Sequence, residues 1–315
     1  MSRVAVLKGG RSLERSVSLN SAARVEDALR RLGHEPVGID VGADLVGRLR
    51  AAGPDLAFVA VHGADGEDGT VQDLLELLGI PYTGSSPGAC ARCWDKVAAK
   101  HVLRRAGVPT PEFHAFSQAA FRDLGAADAL PALAERLGFP IVVKPARGGS
   151  SLGIKHVHDA SELPGALVAA FAYDDRVLLE REVTGSDLAV AVLDGEPLPV
   201  IEAVPAGEAG YDFAARYTIG GTTFVCPADL PAAVTARAQA LAVATWEALG
   251  CAGFARVDLL RDTETGELTV LEANVVPGLT DTSLVPQAAD AAGIAFDELV
   301  RRALDLADVS RVSPR

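Results

Sequence analysis

Short apolar runs alternate with helical patterns over the first hundred residues, and this alternation restricts the fold more than any other feature of the sequence. Residues 4–7, 37–39 and 55–61 have the character of buried strands, while residues 21–32 and 70–78 have the spacing of amphipathic helices. Strands that alternate with helices form a parallel sheet with helices on its faces. The sequence therefore predicts an α/β lobe at its amino-terminal end.

Two glycine-rich segments, residues 8–11 and 62–70, directly follow predicted strands of this lobe. In open parallel sheets, ligands bind at the loops that follow the carboxyl ends of the strands. We therefore expect both segments to face a ligand site.

The pattern changes after Pro109, where strands follow one another more closely and enclose a single helix. We predict strands at 141–144, 154–157, 177–180 and 188–193 and a helix at 162–172. A long helix at 230–249, a pair of strands and two further helices complete the chain. With no internal repeat or long linker, these α+β lobes are expected to pack together.

The charge of the chain excludes some classes of partner. Its 315 residues include 42 acidic and 29 basic ones, which gives a formal charge of -13. Proteins that bind nucleic acids or anionic membranes need a basic face, so neither partner is expected. No apolar stretch has the length of a signal peptide or a membrane span, and we therefore expect a cytoplasmic protein.

The four cysteines do not form a recognisable framework. Cys90 and Cys93 form a Cys-x-x-Cys pair, which suits a redox couple or half of a zinc site, but Cys226 and Cys251 stand alone in the sequence. Because no second pair completes a tetrahedral set, we expect reduced cysteines that act as small apolar side chains.

The most informative local feature is a predicted antiparallel hairpin over residues 254–274. A turn centred near Thr265 places Asp258 opposite Glu272 and Arg256 opposite Asn274, all on one face, with Val257, Leu259, Leu271 and Ala273 on the other. Like charges in direct opposition are destabilising, whereas oxygen ligands from Asp, Glu and Asn suit Mg²⁺ or Mn²⁺. The alternative is an edge hairpin with a solvated charged face.

Residues 139–155 predict a strand, a loop of small residues and a second strand. The glycines at 148, 149 and 153 allow close approach of the backbone, whose N–H groups can bind anionic oxygens beside Lys144. The segment is not a Walker loop, and the alternative is a flexible hairpin tip. Together with the carboxylate face, a phosphate loop indicates nucleotide chemistry.

Several motifs, in order, resemble the ATP-grasp ligases and specifically the D-alanine–D-alanine ligase family. The resemblance extends from residue 4 to about residue 307, and each motif alone is modest while the ordered set is specific. The motifs are KGGRSLER at 8–15 with SLNS at 18–21, HGADGEDGTVQ at 62–72, LLGIPYTGS at 77–85, DK at 95–96, the Lys144 loop, LEAN at 271–274 and PGLTDTSLVP at 277–286.

The resemblance implies a three-lobed ATP-grasp fold of mixed α/β and α+β lobes, with the nucleotide held between two β-rich lobes. We expect a substrate-binding α/β lobe with a parallel sheet at 1–95, a small ATP-grasp lobe at 96–183 and a third lobe with the metal site at 184–315. The implied reaction joins two D-alanines, with ATP and two Mg²⁺ or Mn²⁺ ions, through an acyl phosphate, for peptidoglycan precursor synthesis. Relatives of this family are usually homodimers.

The resemblance also implies a role for individual residues. Glu14, Ser150 and Tyr217 match a hydrogen-bonded trio in which Glu14 places the ammonium of the first substrate; Arg256 and the backbone of Gly278 match groups that stabilise developing negative charge. His62 lies near the first substrate, and Ser283 matches a contact to the carboxylate of the second. The matched nucleotide residues are Lys96, Lys144, Gly149, Ser151, Glu180, Arg181, Val183, Asp187 and Arg216, and the matched metal ligands are Asp258, Glu272 and Asn274.

Several of these residues have structural alternatives. Glu14 could pair with Arg11 or Arg15 near a helix start. His62 could be a packing histidine at a strand end, and Tyr217 a core aromatic. Asp95 and Lys96 could form an ion pair on a helix surface.

The chain also departs from the family pattern at four positions. Arg216 replaces a usual lysine, Asp187 and Gly148 replace usual glutamates, and Val275 replaces a usual threonine. These changes bear on rate and nucleotide affinity more than on reaction type.

Two other functions stay open at this point. One is ligation of D-alanine to D-lactate or another D-amino acid, against which Tyr217 argues because ester-forming relatives usually lack that tyrosine. The other is a nucleotide-binding homologue without ligase activity, which the intact set of Arg256, Asp258, Glu272 and Asn274 disfavours.

Overall fold

The computed structural model of the chain describes residues 1–205 and 222–307. Its first sheet is parallel, in the order β2-β1-β3, and its core strand is buried on both faces, with Val4, Val6 and Leu7 all 0% exposed. The predicted α/β lobe is confirmed. Its elements are β1 (Arg3–Gly9), α1 (Arg15–Arg31), β2 (Glu35–Val41), α2 (Leu45–Ala52), β3 (Leu56–Val59), α3 (Thr70–Leu78) and α4 (Pro87–Trp94).

Helix α1 begins six residues before the predicted start at residue 21. Within these added residues, Ser18 is buried and hydrogen-bonded to the first sheet and the segment after it. Ser18 accepts a hydrogen bond from the Gly9 N–H at 2.8 Å and donates one to the Ala60 carbonyl at 2.6 Å. In contrast, α3 has the predicted bounds, since glycines at both ends have positive φ values, 99° at Gly69 and 71° at Gly79.

The second sheet is antiparallel, in the order β4-β7-β5-β6. It contains three predicted strands and one, β4, that the sequence pattern did not reveal. Its elements and the helices beside it are α5 (Lys96–Arg105), β4 (Phe113–Ser117), α6 (Gln118–Asp123), a 3-10 turn (Ala126–Ala129), α7 (Leu130–Leu137), β5 (Ile141–Pro145), β6 (Lys155–Val157), α8 (Leu163–Phe171) and β7 (Arg176–Arg181).

The third sheet is also antiparallel, and its path through the described residues is β11-β10-β8-β12-β13, with β9 paired to β8. The long predicted helix and the two final helices lie beside it. Its elements are β8 (Gly185–Leu193), β9 (Glu196–Pro197), β10 (Ile201–Pro205), β11 (Thr222–Val225), α9 (Ala232–Leu249), β12 (Phe254–Asp262), β13 (Leu268–Asn274), α10 (Leu284–Ala291) and α11 (Phe296–Asp305).

The predicted hairpin register is confirmed from Arg256 to Asp258 and shifts beyond it. Strands β12 and β13 pair Asp258 with Glu272 and Arg256 with Asn274, but a bulge after Asp258 shifts the register so that Leu259 faces Val270. Val270 is therefore fully buried, whereas Leu271, which we expected on the buried face, borders the cleft described below.

The first and third sheets share a continuous apolar core. One cluster contains Leu7 and Val59 of the first sheet together with Val190 and Val257 of the third, so these parts of the chain pack directly, as expected. No helix among residues 1–205 and 222–307 is long and apolar enough to cross a membrane. The expected boundaries at 95/96 and 183/184 fall between α4 and α5 and between β7 and β8, and the division into domains stays a prediction.

Candidate active site

A cleft of about 1370 Å³ lies between the sheets. Every predicted site residue within the described part of the chain lines it, although these residues come from loops and strands throughout the sequence. Tyr217 and Arg216 lie outside the described residues. The lining includes Glu14, His62, Lys96, Lys144, Gly149, Ser150, Ser151, Glu180, Arg181, Val183, Asp187, Arg256, Asp258, Glu272, Asn274, Gly278 and Ser283.

The hairpin presents its carboxylates to this cleft. Arg256 donates two hydrogen bonds to Asp258, from Nε at 2.7 Å and Nη2 at 2.8 Å. The Glu272 carboxylate lies 3.2 Å from Nζ of Lys96. The opposed carboxylates are thus each beside a cation, which reduces the repulsion expected from their direct pairing.

This donor set suits a hard divalent cation. Two carboxylates and the Asn274 amide share one face of the hairpin, and Mg²⁺ typically takes one or two protein carboxylates and completes its shell with water and phosphate oxygens. Among residues 1–205 and 222–307, no cluster of three or more His, Cys, Asp or Glu side chains is arranged to hold a metal without such help.

Lysines from two elements line the cleft near the small-residue loop between β5 and β6. Lys96, at the start of α5, donates to the Gly148 carbonyl at 2.5 Å, and Lys144 lies near the end of β5. The alternative of an ion pair between Asp95 and Lys96 is wrong, because the Asp95 carboxylate caps α5 by accepting from the Val97 and Ala98 N–H groups.

The backbone of this loop is held in an uncommon conformation. Ser150 and Ser151 have φ values of 53° and 56°, which non-glycine residues adopt at a cost of about 1–2 kcal/mol each. The Ser150 hydroxyl donates a short hydrogen bond to the Glu14 carboxylate. Two members of the predicted trio are therefore in contact across 136 residues of sequence.

The arginines beside Glu14 have other partners. Arg11 donates to Asp65 at 2.7 Å and 3.0 Å, and Arg15 donates to Asp40. The carboxylate of Glu14 faces the cleft instead. Arg11 and Arg15 therefore pair with Asp65 and Asp40, and not with Glu14 as the structural alternative supposed.

His62 is buried, 3% exposed, and both of its ring nitrogens contact protein groups. Nδ1 lies 2.8 Å from the Val276 carbonyl and therefore carries the proton. Nε2 then accepts from the Ser21 hydroxyl at 3.1 Å, and the same hydroxyl accepts from the Leu279 N–H at 3.0 Å. Burial lowers the pKa of His62, so the ring is neutral and ties α1 to residues 276–279.

The segment before α10 closes one end of the cleft. The Ser283 hydroxyl accepts from the Thr280 N–H at 3.0 Å, which folds the segment into a turn. A side chain at Gly278 would meet this hydroxyl, since its Cβ would lie 2.7 Å from Oγ. Glycine therefore leaves the backbone at 278 accessible beside Ser283.

The predicted nucleotide hinge begins in β7. The Glu180 carboxylate is buried, with Nζ of Lys100 at 2.8 Å on one side and Lys144 on the other. The Arg181 side chain donates to the Leu137 carbonyl at 3.0 Å. Val183 and Asp187 follow along the same wall of the cleft.

Glu67 is a cleft residue that sequence reasoning missed. It is 8% exposed, and burial, assisted by the negative charge of Glu14, raises its pKa to about 8. At neutral pH this carboxyl group is therefore mostly protonated and can donate a hydrogen bond into the cleft. Its position in the HGADGEDG motif was the only available signal, and three acidic residues there looked alike.

The cysteines agree with the expectation of reduced, apolar side chains. All four are free, and burial raises the pKa of Cys90 to about 12. However, Cys251 is not isolated in space, because its sulfur lies 3.8 Å from that of Cys93. Sequence separation concealed this contact between α4 and the segment before β12.

Comparison with known proteins gives a consistent result. Residues 102–305 match the family described as D-ala D-ala ligase C-terminus, and residues 47–85 match D-ala D-ala ligase N-terminus. The chain is 47% identical over 302 residues to the D-alanine–D-alanine ligase of Syntrophotalea carbinolica, covering 96% of this chain and 95% of the relative. It is 46% identical over 303 residues to that of an Anaeromyxobacter species, covering 96% of each.

Solved structures show the same relationship. The crystal structure of D-alanine–D-alanine ligase from Bacillus anthracis superposes with a TM-score of 0.86 at 35% identity, covering 99% of each chain. The structure of the enzyme from the same organism complexed with ATP gives a TM-score of 0.84 at 33% identity, again over 99% of each chain. The predicted ATP-grasp architecture is confirmed, and the chain belongs to the D-alanine–D-alanine ligase family.

Proposed function

We propose that this chain joins two molecules of D-alanine with ATP, releasing ADP and phosphate, and that the residues of the cleft perform the reaction. The observation that carries this proposal is the convergence of three sets of side chains on one cleft: the lysines of the small-residue loop, the carboxylates of the hairpin and the Glu14–Ser150 pair. Phosphoryl transfer depends mainly on positioning and charge stabilisation, which these sets supply.

The nucleotide binds between the second and third sheets. Lys96 and Lys144 approach the phosphates as point charges, and N–H groups near Gly149 and Ser151 hold phosphate oxygens. The backbone of residues 180–183 contacts the adenine. Asp187 approaches the ribose hydroxyls, and Arg216 extends the positive charge.

Asp258, Glu272 and Asn274 would hold Mg²⁺ or Mn²⁺, and we infer two ions. When bound, these ions neutralise phosphate charge and align the transferred group. The chain's own contribution is to hold the three side chains on one face of the hairpin, with Glu272 beside Lys96.

The first D-alanine places its ammonium on Glu14, which Ser150 and Tyr217 hold in position. One of its carboxylate oxygens then attacks the γ-phosphorus, the bond to ADP breaks, and an acyl phosphate forms. The neutral imidazole of His62 lies near this substrate, and its hydrogen bonds hold α1 against residues 276–279.

The second D-alanine binds through its carboxylate to Ser283. Its amine attacks the acyl carbon, and the C–O bond to phosphate breaks after the tetrahedral intermediate. Arg256 and the Gly278 N–H stabilise the developing oxyanion. The protonated Glu67 adds a hydrogen-bond donor to a site otherwise rich in carboxylates.

One experiment tests this function. The purified chain, with ATP and Mg²⁺, receives D-alanine alone, D-alanine with D-lactate, or L-alanine, and phosphate release is measured while mass spectrometry identifies the products. We expect D-alanyl-D-alanine and phosphate in equal amounts from D-alanine alone. A requirement for D-lactate would assign an ester-forming ligase, and no phosphate release from any mixture would leave a nucleotide-binding protein.

We also infer the setting of this activity from the family. A homodimer, a cytoplasmic location and a role in peptidoglycan precursor synthesis accompany the proposed reaction. Light scattering after size-exclusion chromatography tests the dimer, for which a mass near 65 kDa, about twice the 32.6 kDa chain, is expected.

A further inference from the structure

Lys100 is a completely buried lysine that contacts Glu180, a residue of the proposed nucleotide-binding side of the cleft. Its side chain is 0% exposed, and it does not line the cleft. Its Nζ donates to the Thr110 hydroxyl at 2.6 Å, lies 2.8 Å from Oε2 of Glu180, and sits 5.6 Å from the ring centroid of Phe113. A buried ammonium group needs such partners, because transfer from water disfavours its charge.

Glu180 therefore lies between two ammonium groups that have different surroundings. Its Oε1 contacts Lys144, which borders the cleft, and its Oε2 faces Lys100, on the side away from the cleft. The exposed fractions of the side chains are 3% for Glu180, 7% for Lys144 and 0% for Lys100. Two positive charges thus share one carboxylate in a nearly dry environment.

We propose that Lys100 is a positioning residue for nucleotide binding: it neutralises Glu180 from behind and so leaves the ammonium group of Lys144 available to the phosphates of ATP. The proposal rests on the phosphate contact of Lys144 in the proposed function. When Lys144 turns to the phosphates, Glu180 keeps a buried partner. Without Lys100, the same carboxylate would hold Lys144 in a one-to-one buried pair.

The ionisation of the group agrees with this arrangement. Burial lowers the pKa of Lys100 to about 8, with Lys144 and Arg104 acting in the same direction and Glu180 opposing it. Although burial disfavours its charge, the two lysines hold the pKa of Glu180 below its ordinary value. Lys100 thus loses its proton as the pH rises through about 8, which removes the charge that neutralises Glu180.

A double-mutant cycle tests the proposal. We measure the Kd of the non-hydrolysable analogue AMP-PNP with Mg²⁺, and of adenosine, for the wild type, Lys100→Met, Glu180→Gln and the double variant. Lys100→Met is expected to weaken AMP-PNP binding about tenfold, because Glu180 would then hold the Lys144 ammonium group away from the phosphates, and to leave adenosine binding unchanged. In the Glu180→Gln background, the same substitution should cost less than about threefold.

Lys8→Met is the matched control, because Lys8 also pairs with a partly buried glutamate, Glu26 at 2.6 Å, and neither residue lines the cleft. It should leave both affinities unchanged. An equal loss of AMP-PNP and adenosine affinity on Lys100→Met, or the same loss in both Glu180 backgrounds, would show a merely structural lysine and overturn the proposal.

A second measurement decides if Lys100→Met does not fold. For the wild type, AMP-PNP affinity should fall above about pH 8, whereas the Glu180→Gln variant, which has no carboxylate to hold Lys144, should show no such fall. The same alkaline loss in both proteins would overturn the proposal. Because binding needs neither D-alanine nor turnover, a failure of the proposed ligation would be visible separately, as nucleotide binding without product.

Discussion

Replacement of Asp258 by asparagine tests the hairpin site with little change of shape. The Asp258 side chain is 15% exposed and accepts two hydrogen bonds from Arg256. Loss of its charge weakens a charge-assisted pair worth about 1.5–3 kcal/mol, while relief of the repulsion from Glu272 returns about 0.2–1 kcal/mol. We therefore expect a net loss of about 1–2 kcal/mol and a folded protein.

The expected loss of activity is far larger. Mutation of residues that only hydrogen-bond to metal ligands lowers metal affinity or activity by about 10- to 100-fold. Removal of the charge of a ligand itself should therefore lower kcat/KM by about 100-fold or more. Dipeptide formation is assayed over a range of Mg²⁺ concentrations, and calorimetry records Tm. The Mg²⁺ concentration for half-maximal rate should rise, while Tm falls by only a few degrees.

Asp262→Asn is the matched control on the same strand. Asp262 lies at the outer end of β12, where its Oδ1 accepts from the Glu264 and Thr265 N–H groups at 2.8 Å, contacts that an asparagine oxygen retains. It should leave kcat/KM and its Mg²⁺ dependence unchanged. Wild-type activity of Asp258→Asn at the wild-type Mg²⁺ optimum would refute the assignment of the hairpin as the metal site.

Three further substitutions test other parts of the cleft. Ser21→Ala removes the hydrogen-bond partner of His62 Nε2 and of the Leu279 N–H, so the free energy of unfolding in urea should fall by about 1–3 kcal/mol, and no change would contradict the assigned network. Glu67→Gln mimics the protonated carboxyl group. Because the pKa of Glu67 is raised in the native state, the wild type loses stability as the pH rises from 4.5 to about 8. The variant should therefore have a higher Tm than the wild type above pH 8 and not below pH 4.5, and a pH-independent difference between the two Tm values would exclude this ionisation. Glu14→Gln removes the charge assigned to the substrate ammonium, and the KM for the first D-alanine should rise about tenfold or more. An unchanged KM would remove Glu14 from that role.

The sequence predicts the hairpin well because local rules determine it. Alternation fixes which of Arg256, Asp258, Glu272 and Asn274 share a face, and the turn near Thr265 fixes their register. The bulge after Asp258 has no such signal, and it is the reason why Leu271 borders the cleft instead of the core. The local pattern thus predicts which side chains share the cleft-facing side of the hairpin, and it fails at the first irregularity.

Groups whose properties depend on burial could not be predicted in the same way. Glu67 and Lys100 look like ordinary charged residues of a loop and a helix, and only tertiary packing removes them from water and shifts their pKa values. The contact of Cys93 with Cys251 likewise needs the fold. The early start of α1 at Arg15 accompanies hydrogen bonds of Ser18 to the first sheet and the segment after it, which no local propensity encodes.

Transfer of oxygen from substrate to phosphate tests the proposed ligation most directly. D-Alanine labelled with ¹⁸O in its carboxylate is incubated with the purified chain, ATP and Mg²⁺, and the released phosphate is analysed by mass spectrometry. Attack of a carboxylate oxygen on the γ-phosphorus, followed by cleavage of the acyl C–O bond, predicts one ¹⁸O atom in each phosphate and one phosphate for each dipeptide. Unlabelled phosphate, or dipeptide formed without phosphate, would contradict the account.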